Sequence, residues 1–152
     1  MTYLALQSSG LTKKRIIGMG GRLDSSRFKY YLSTAMVCAM QDLQAVVIGC
    51  HGDTTMIPLT RLATYNGTPV SNILDEATLK KVAADTMVGG ATLTGLLGTS
   101  AWYAPGAAGA TLLESIVRDE KKFIPCGVML DGEYGQKDIC IGGPVVIVKD
   151  GG

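Results

Sequence analysis

The sequence predicts a single α+β domain in which antiparallel strands pack against long helices. Two segments, Arg22 to Gln41 and Asp75 to Leu97, carry apolar residues at helical spacing over lengths that strands do not reach. The last third breaks instead into short apolar and β-branched runs, Phe123 to Leu130, Asp138 to Ile141 and Val145 to Lys149. Gly-rich turns join them, which reads as an antiparallel meander. A length of 152 residues suits one domain around one core.

In chain order, residues 1–9 read as a short helix with Met1, Leu4 and Leu6 on its apolar side and Gly10 closing it, although no capping residue precedes it. Arg15-Ile16-Ile17-Gly18-Met19 reads as a strand. The helix from Arg22 to Gln41 holds Phe28, Tyr30, Tyr31, Leu32, Met36, Val37 and Met40, a wider apolar surface than one core face needs. Leu43 to Gly49 reads as a buried strand, followed by short segments at Thr55 to Pro58 and Arg61 to Tyr65 and by the hairpin turn Asn66-Gly67. Gly89-Gly90 marks a kink in the helix from Asp75 to Leu97, which Gly98 ends. Pro105 and Gly106 open a further helix that ends near Arg118. Glu133 to Asp138 is polar and Gly-bounded, a hairpin turn. The uncapped start, and a stop at Gly151-Gly152 directly after a strand, lead us to expect a piece truncated at both ends.

Composition narrows the function classes. Fourteen basic and thirteen acidic residues leave a net charge of +1 with no basic block, which gives a nucleic-acid partner or an anionic membrane little to bind. Apolar runs stop short of 18 residues and no signal segment opens the chain, so we read the protein as cytoplasmic and not membrane-bound. With 47% apolar residues, faces that meet a partner surface are expected. Cys38, Cys50, Cys126 and Cys140 lie 12, 76 and 14 positions apart, with no C-x-x-C pair and one histidine. Buried thiols are therefore expected, and no metal site.

The chemistry concentrates in two places. His51, the only histidine, sits in Gly49-Cys50-His51-Gly52-Asp53 at the end of an apolar strand, where glycines allow close approach of backbone and an exposed ring. One predicted helix upstream, Asp24 and Arg27 stand three residues apart on one face. A titratable ring, a carboxylate able to orient it and a guanidinium able to grip an anion suit acid/base work on a carboxylated substrate. Asp53 reads as a loop cap, with a second orienter of His51 as the other reading. Gly18-Met19-Gly20-Gly21 mimics a dinucleotide fingerprint, but position 23 is Leu and no acidic residue ends the next strand, so these glycines read as a tight turn that presents Asp24. Ser100 to Pro105, with the only Trp, reads first as core packing and otherwise as a pocket wall.

Taken together, Gly18 to Arg27, Gly49 to Thr54, Ser100 to Pro105 and Gly132-Glu133-Tyr134-Gly135 resemble the catalytic half of NAD-dependent malate dehydrogenases, in the bacterial branch similar to lactate dehydrogenases. The likeness runs through all 152 residues in order. It implies a lactate/malate dehydrogenase C-terminal catalytic domain over residues 1–152, with the N-terminal Rossmann domain absent. It implies His51 as the proton donor and acceptor, Asp24 as its paired carboxylate and Arg27 as the clamp on the substrate carboxylate. Ala101, where lactate dehydrogenases usually place a Thr, would face the substrate. The implied substrates are malate and oxaloacetate. The implied cofactor is NAD, bound mainly by the missing nucleotide domain, and a homodimer or homotetramer is expected. A lactate-type dehydrogenase fragment and a non-catalytic oligomerisation module that keeps the fold are the competing readings.

Overall fold

A computed structural model describes residues 1–152. Helix α1 (Thr2–Ser9) closes at Gly10, whose φ of 68° is the left-handed end that glycine favours, and it buries none of its residues. The expected strand at Arg15 to Met19 does not form. Lys13–Arg15 is a 3-10 turn, and the extended backbone after it finds one pairing partner, Gly18 to Gly127. A strand needs a neighbour along its length, and none runs beside this segment.

Helix α2 (Gly20–Met36) buries Leu23, Asp24, Ser25, Phe28 and Leu32. It ends five residues before Gln41, because Val37 turns left-handed (φ 51°) and its N–H closes on the Ser33 carbonyl. The outer part of the expected apolar surface is therefore exposed at Tyr30, Val37 and Met40. The expected single strand from Leu43 to Gly49 is two, β1 (Leu43–Gln44) and β2 (Val47–Gly49), which join different sheets. One sheet has the order β1-β4-β5, with β4 (Thr64–Tyr65) and β5 (Thr68–Pro69) joined by the expected hairpin turn, Asn66 and Gly67 both at positive φ. The other has the order β3-β2-β7-β6, with β3 (Met56–Pro58), β6 (Lys122–Asp131) and β7 (Lys137–Ile147).

Helix α3 (Glu76–Leu97) is capped by the Asp75 carboxylate, which accepts the Thr78 N–H at 2.7 Å, and ends at Gly98 as expected. It runs unbroken through Gly89-Gly90, where the sequence suggests a kink. Helix α4 (Tyr103–Val117) follows, and Trp102 and Tyr103 at its start are exposed, so the Ser100 to Pro105 segment is not core. The expected last two strands are one. β7 crosses Gly142-Gly143-Pro144 without a turn, since Gly142 pairs with Gly49 and leaves no room for a Cβ against the Gly49 carbonyl. Pro144 stands opposite Pro125, a pairing that a ladder tolerates where opposed residues exchange no hydrogen bonds.

The chain has two cores. The first gathers ten buried residues, among them Phe28, Leu32, Leu43, Val47, Val70 and Val82. The second holds Leu112, Ile124, Cys126, Val145 and Ile147 between α4 and the β6-β7 hairpin. No helix is long and apolar enough to cross a membrane.

Candidate active site

Asp24 is fixed by burial. It sits on the inner face of α2 with a residue exposure of 2%, so its charge needs partners on both oxygens. Oδ2 lies 2.7 Å from His51 Nδ1, and Oδ1 accepts from Arg27 Nη1 at 3.2 Å. The structure thus brings the three residues into one cluster. His51 keeps about half of its side chain exposed, with Nε2 left to meet an incoming group, whereas the Arg27 side chain is mostly covered. A carboxylate on Nδ1 selects the tautomer with hydrogen there and compensates the charge of the ring when Nε2 takes a proton. Such an arrangement can hand a proton to an oxygen or take one from it.

Ser25, which the sequence reading passes over, and Gly20 hold this cluster in register. The Val47 N–H donates to the buried Ser25 Oγ at 2.9 Å, which ties α2 directly to the strand that leads to His51. Gly20, in the first turn of α2, lies so close to His51 that a Cβ would stand 2.7 Å from the histidine Cβ. The glycine run does present Asp24, as the sequence suggests, and it also makes space for the ring. The signal for Ser25 is faint: a small polar residue beside Asp24, between Leu23 and Phe28 on the buried face of the helix. At the other end of the loop, Gly49 takes φ 89° with its Cα against the Thr55 carbonyl, a place for glycine alone. Thr55, not Asp53, closes this loop, its hydroxyl reaching the carbonyls of Cys50 and Gly52 at 3.3 Å each. Asp53 faces the cavity instead.

That cavity, about 310 Å³, is bounded by Arg27, His51 and Asp53 on one side and by Ser100, Ala101 and Pro105 on the other. Ala101 is therefore in the wall, and the segment around it is the pocket lining that was the second of the two sequence readings. A larger groove of about 810 Å³ runs along β6 and β7 past Val128 and Val145, but none of the three clustered residues reaches it. We place the site in the smaller cavity, where the titratable groups converge. The thiols are not uniformly buried as expected. Burial pushes Cys126 up to about 11, whereas Cys50, beside His51, is exposed.

A two-core α+β domain that brings a histidine–aspartate couple and an arginine onto one cavity has the groups to move a proton beside an anion. The family model described as lactate/malate dehydrogenase, alpha/beta C-terminal domain matches residues 21–152, and the chain belongs to that family. Malate dehydrogenases of Flavobacterium johnsoniae and Bacteroides fragilis are 69% and 66% identical to it over 151 residues, 99% of this chain and 49% and 48% of theirs. Among solved structures, the malate dehydrogenase of Salinibacter ruber superposes with a TM-score of 0.95 at 42% identity, over 99% of this chain and 49% of that one. The lactate dehydrogenase of Eimeria maxima with NADH and oxamate does so with a TM-score of 0.91 at 32% identity, over 96% and 46%. The chain spans about half the length of the curated relatives it matches.

Proposed function

We propose that this chain supplies the proton-transfer and carboxylate-binding half of an NAD-dependent malate dehydrogenase, which interconverts malate and oxaloacetate. The observation that carries the reading is the Asp24–His51 contact at 2.7 Å on a cavity that also receives Arg27. In that reaction a nicotinamide carries the hydride to or from the substrate carbon. The glycine run of this chain is not built as a dinucleotide-binding loop. Gly20 and Gly21 pack against His51 and the Pro125 carbonyl, and no parallel β-α-β unit surrounds them. A nucleotide-binding Rossmann domain is thus the partner this half-site calls for.

The chain's own part is the proton. His51 Nε2 gives a proton to the oxaloacetate carbonyl oxygen or removes one from the malate hydroxyl, while Asp24 holds the ring and offsets its charge. Arg27 spends Nη1 on Asp24 and has the rest of its planar fork for a substrate carboxylate. Ala101 adds a small apolar wall opposite, which leaves width for a four-carbon diacid.

The test joins Met1 of this chain to the N-terminal half of the Bacteroides fragilis relative and follows malate-dependent NAD reduction. Activity is expected in the joined protein, together with a loss of about 10²–10⁴-fold on His51→Ala. Turnover in the His51→Ala variant equal to that of the parent would falsify the proton role.

A further inference from the structure

We propose that Gly89 and Gly90 of α3 are positioning residues for Arg27, forming a side-chain-free bed on which its guanidinium lies flat. The buried stripe of α3 tapers along the helix, Leu79, Val82, Thr86, Gly89, at intervals of three, four and three residues. The stripe ends in a residue without a side chain, and it is there that Arg27 packs on α3. A Cβ at Gly89 would meet Arg27 Cδ at 2.7 Å and Tyr31 Oη at 2.9 Å. At Gly90 it would stand 3.1 Å from Nη2 and 3.4 Å from both Cζ and Nη1. Distances of 3.1–3.4 Å to all three atoms put that point out of the guanidinium plane, above its Nη1–Nη2 side. The donors lie in the plane and are not covered from that side: Nη1 donates to Asp24, and Arg27 lines the cavity.

Two adjacent glycines weaken a helix interior, and this helix neither kinks nor ends there. The backbone of α3 does not need them, and Arg27 does. A methyl at Gly89 drives into the aliphatic stem of Arg27, and one at Gly90 lifts the plane by a few tenths of an ångström, tilting the fork that meets a carboxylate. The statement about a carboxylate rests on the reading of Arg27 given above; the statement about packing does not.

The experiment uses the 152-residue chain with ¹⁵N-labelled arginine, the Arg27 signal being identified by its loss in Arg27→Lys. Overhauser contacts from the Gly89 and Gly90 Hα protons to Arg27 Hδ and Hε are expected, and their absence overturns the proposal without any glycine substitution. Gly90→Ala should shift the Arg27 signals, whereas Gly95→Ala on the same helix, where a Cβ meets nothing within 4 Å, should leave them in place. Titration with malonate should move the Arg27 signals, and Gly90→Ala should weaken that affinity about tenfold, the effect of losing one charge-assisted hydrogen bond. In an Arg27→Lys background, Gly90→Ala should have no further effect on malonate. Unchanged Arg27 signals and affinity in Gly90→Ala overturn the proposal. Arg27 signals that respond to Gly90→Ala but not to malonate leave the bed intact and overturn the carboxylate role instead.

Discussion

The two cores of this domain differ in size, ten buried residues against five, and elements of both line the site's cavity. Around the first, α2 and α3 close on each other through Phe28, Leu32, Leu79 and Val82, with Phe28 and Leu32 at zero exposure. Around the second, α4 buries Ala108, Leu112 and Ser115 and leaves Tyr103, Leu113 and Val117 exposed, while α1 buries nothing. Asp24, Ser25 and Arg27, whose distances decide the chemistry, stand on the first. Ser100, Ala101 and Pro105, which only bound the cavity, stand at the entrance to the second. The charged groups of the cluster are thus carried by the helix that anchors the larger core, and the cavity wall by the segment that leads into α4.

This contrast can be broken by mutation. The largest expected effects are in the larger core. Phe28→Ala should cost about 3–5 kcal/mol, and Ile147→Ala in the five-residue second core about 2 kcal/mol, since fewer carbons are removed from a smaller cluster. Chemical denaturation of both variants measures the difference, and equal losses would mean that the cores are equivalent. Ser25→Ala should come next, at about 1–3 kcal/mol, because it leaves the buried Val47 N–H without a partner. Its more telling readout is the ring ¹⁵N spectrum of His51, which stands alone in this chain. The Nδ1–H tautomer should lose population in Ser25→Ala as Asp24 loosens, and an unchanged spectrum would leave Ser25 with a packing role only.

Smaller effects sharpen the same comparison. Iodoacetamide at pH 8 should label exposed Cys50 and spare Cys126, whose thiol burial holds at about 11; labelling of both in the folded chain would contradict the packing of the second core. The least effect is expected at the β6-β7 turn. There the Asp131 N–H and Lys13 Nζ bind the exposed Glu133 carboxylate and lower it to about 2. A folded-state value below the ordinary carboxylate value of about 4.3 gives a contribution that is present above that value and lost as pH falls through about 2. Glu133→Gln should remove this part of the acid dependence, and a Glu133 carboxyl signal that titrates near 4.3 would show that the tie is not made.

Much of this was legible from residues alone. The spacing of α2 and α3, the Asn66-Gly67 turn, the Asp24–Arg27 face and the strand-end placement of His51 all follow from local rules, and local rules held there. The errors share one cause, a glycine or an end judged without its neighbour in space. Gly89-Gly90 signals a kink until Arg27 lies across it, and Gly142-Gly143 signals a turn until Gly49 passes over the strand. Arg15 to Met19 has strand composition but no flanking strand, and Val37 ends α2 through a left-handed turn that its β-branched side chain gives no reason to expect. Ser25 leaves only a faint trace in the sequence because its partner is a backbone N–H twenty-two residues away.

The Asp24–His51 pair also has a dry end and a wet end, the carboxylate side chain at 2% exposure and the ring at 52%. An electrostatic contact of fixed length strengthens as water leaves its surroundings, since the effective dielectric constant falls. Whatever covers the open side of the ring therefore tightens the bond on the closed side without moving an atom. Occupancy of the cavity is thereby transmitted to the carboxylate as a change of medium, and the pair is at its strongest only when the cavity is full.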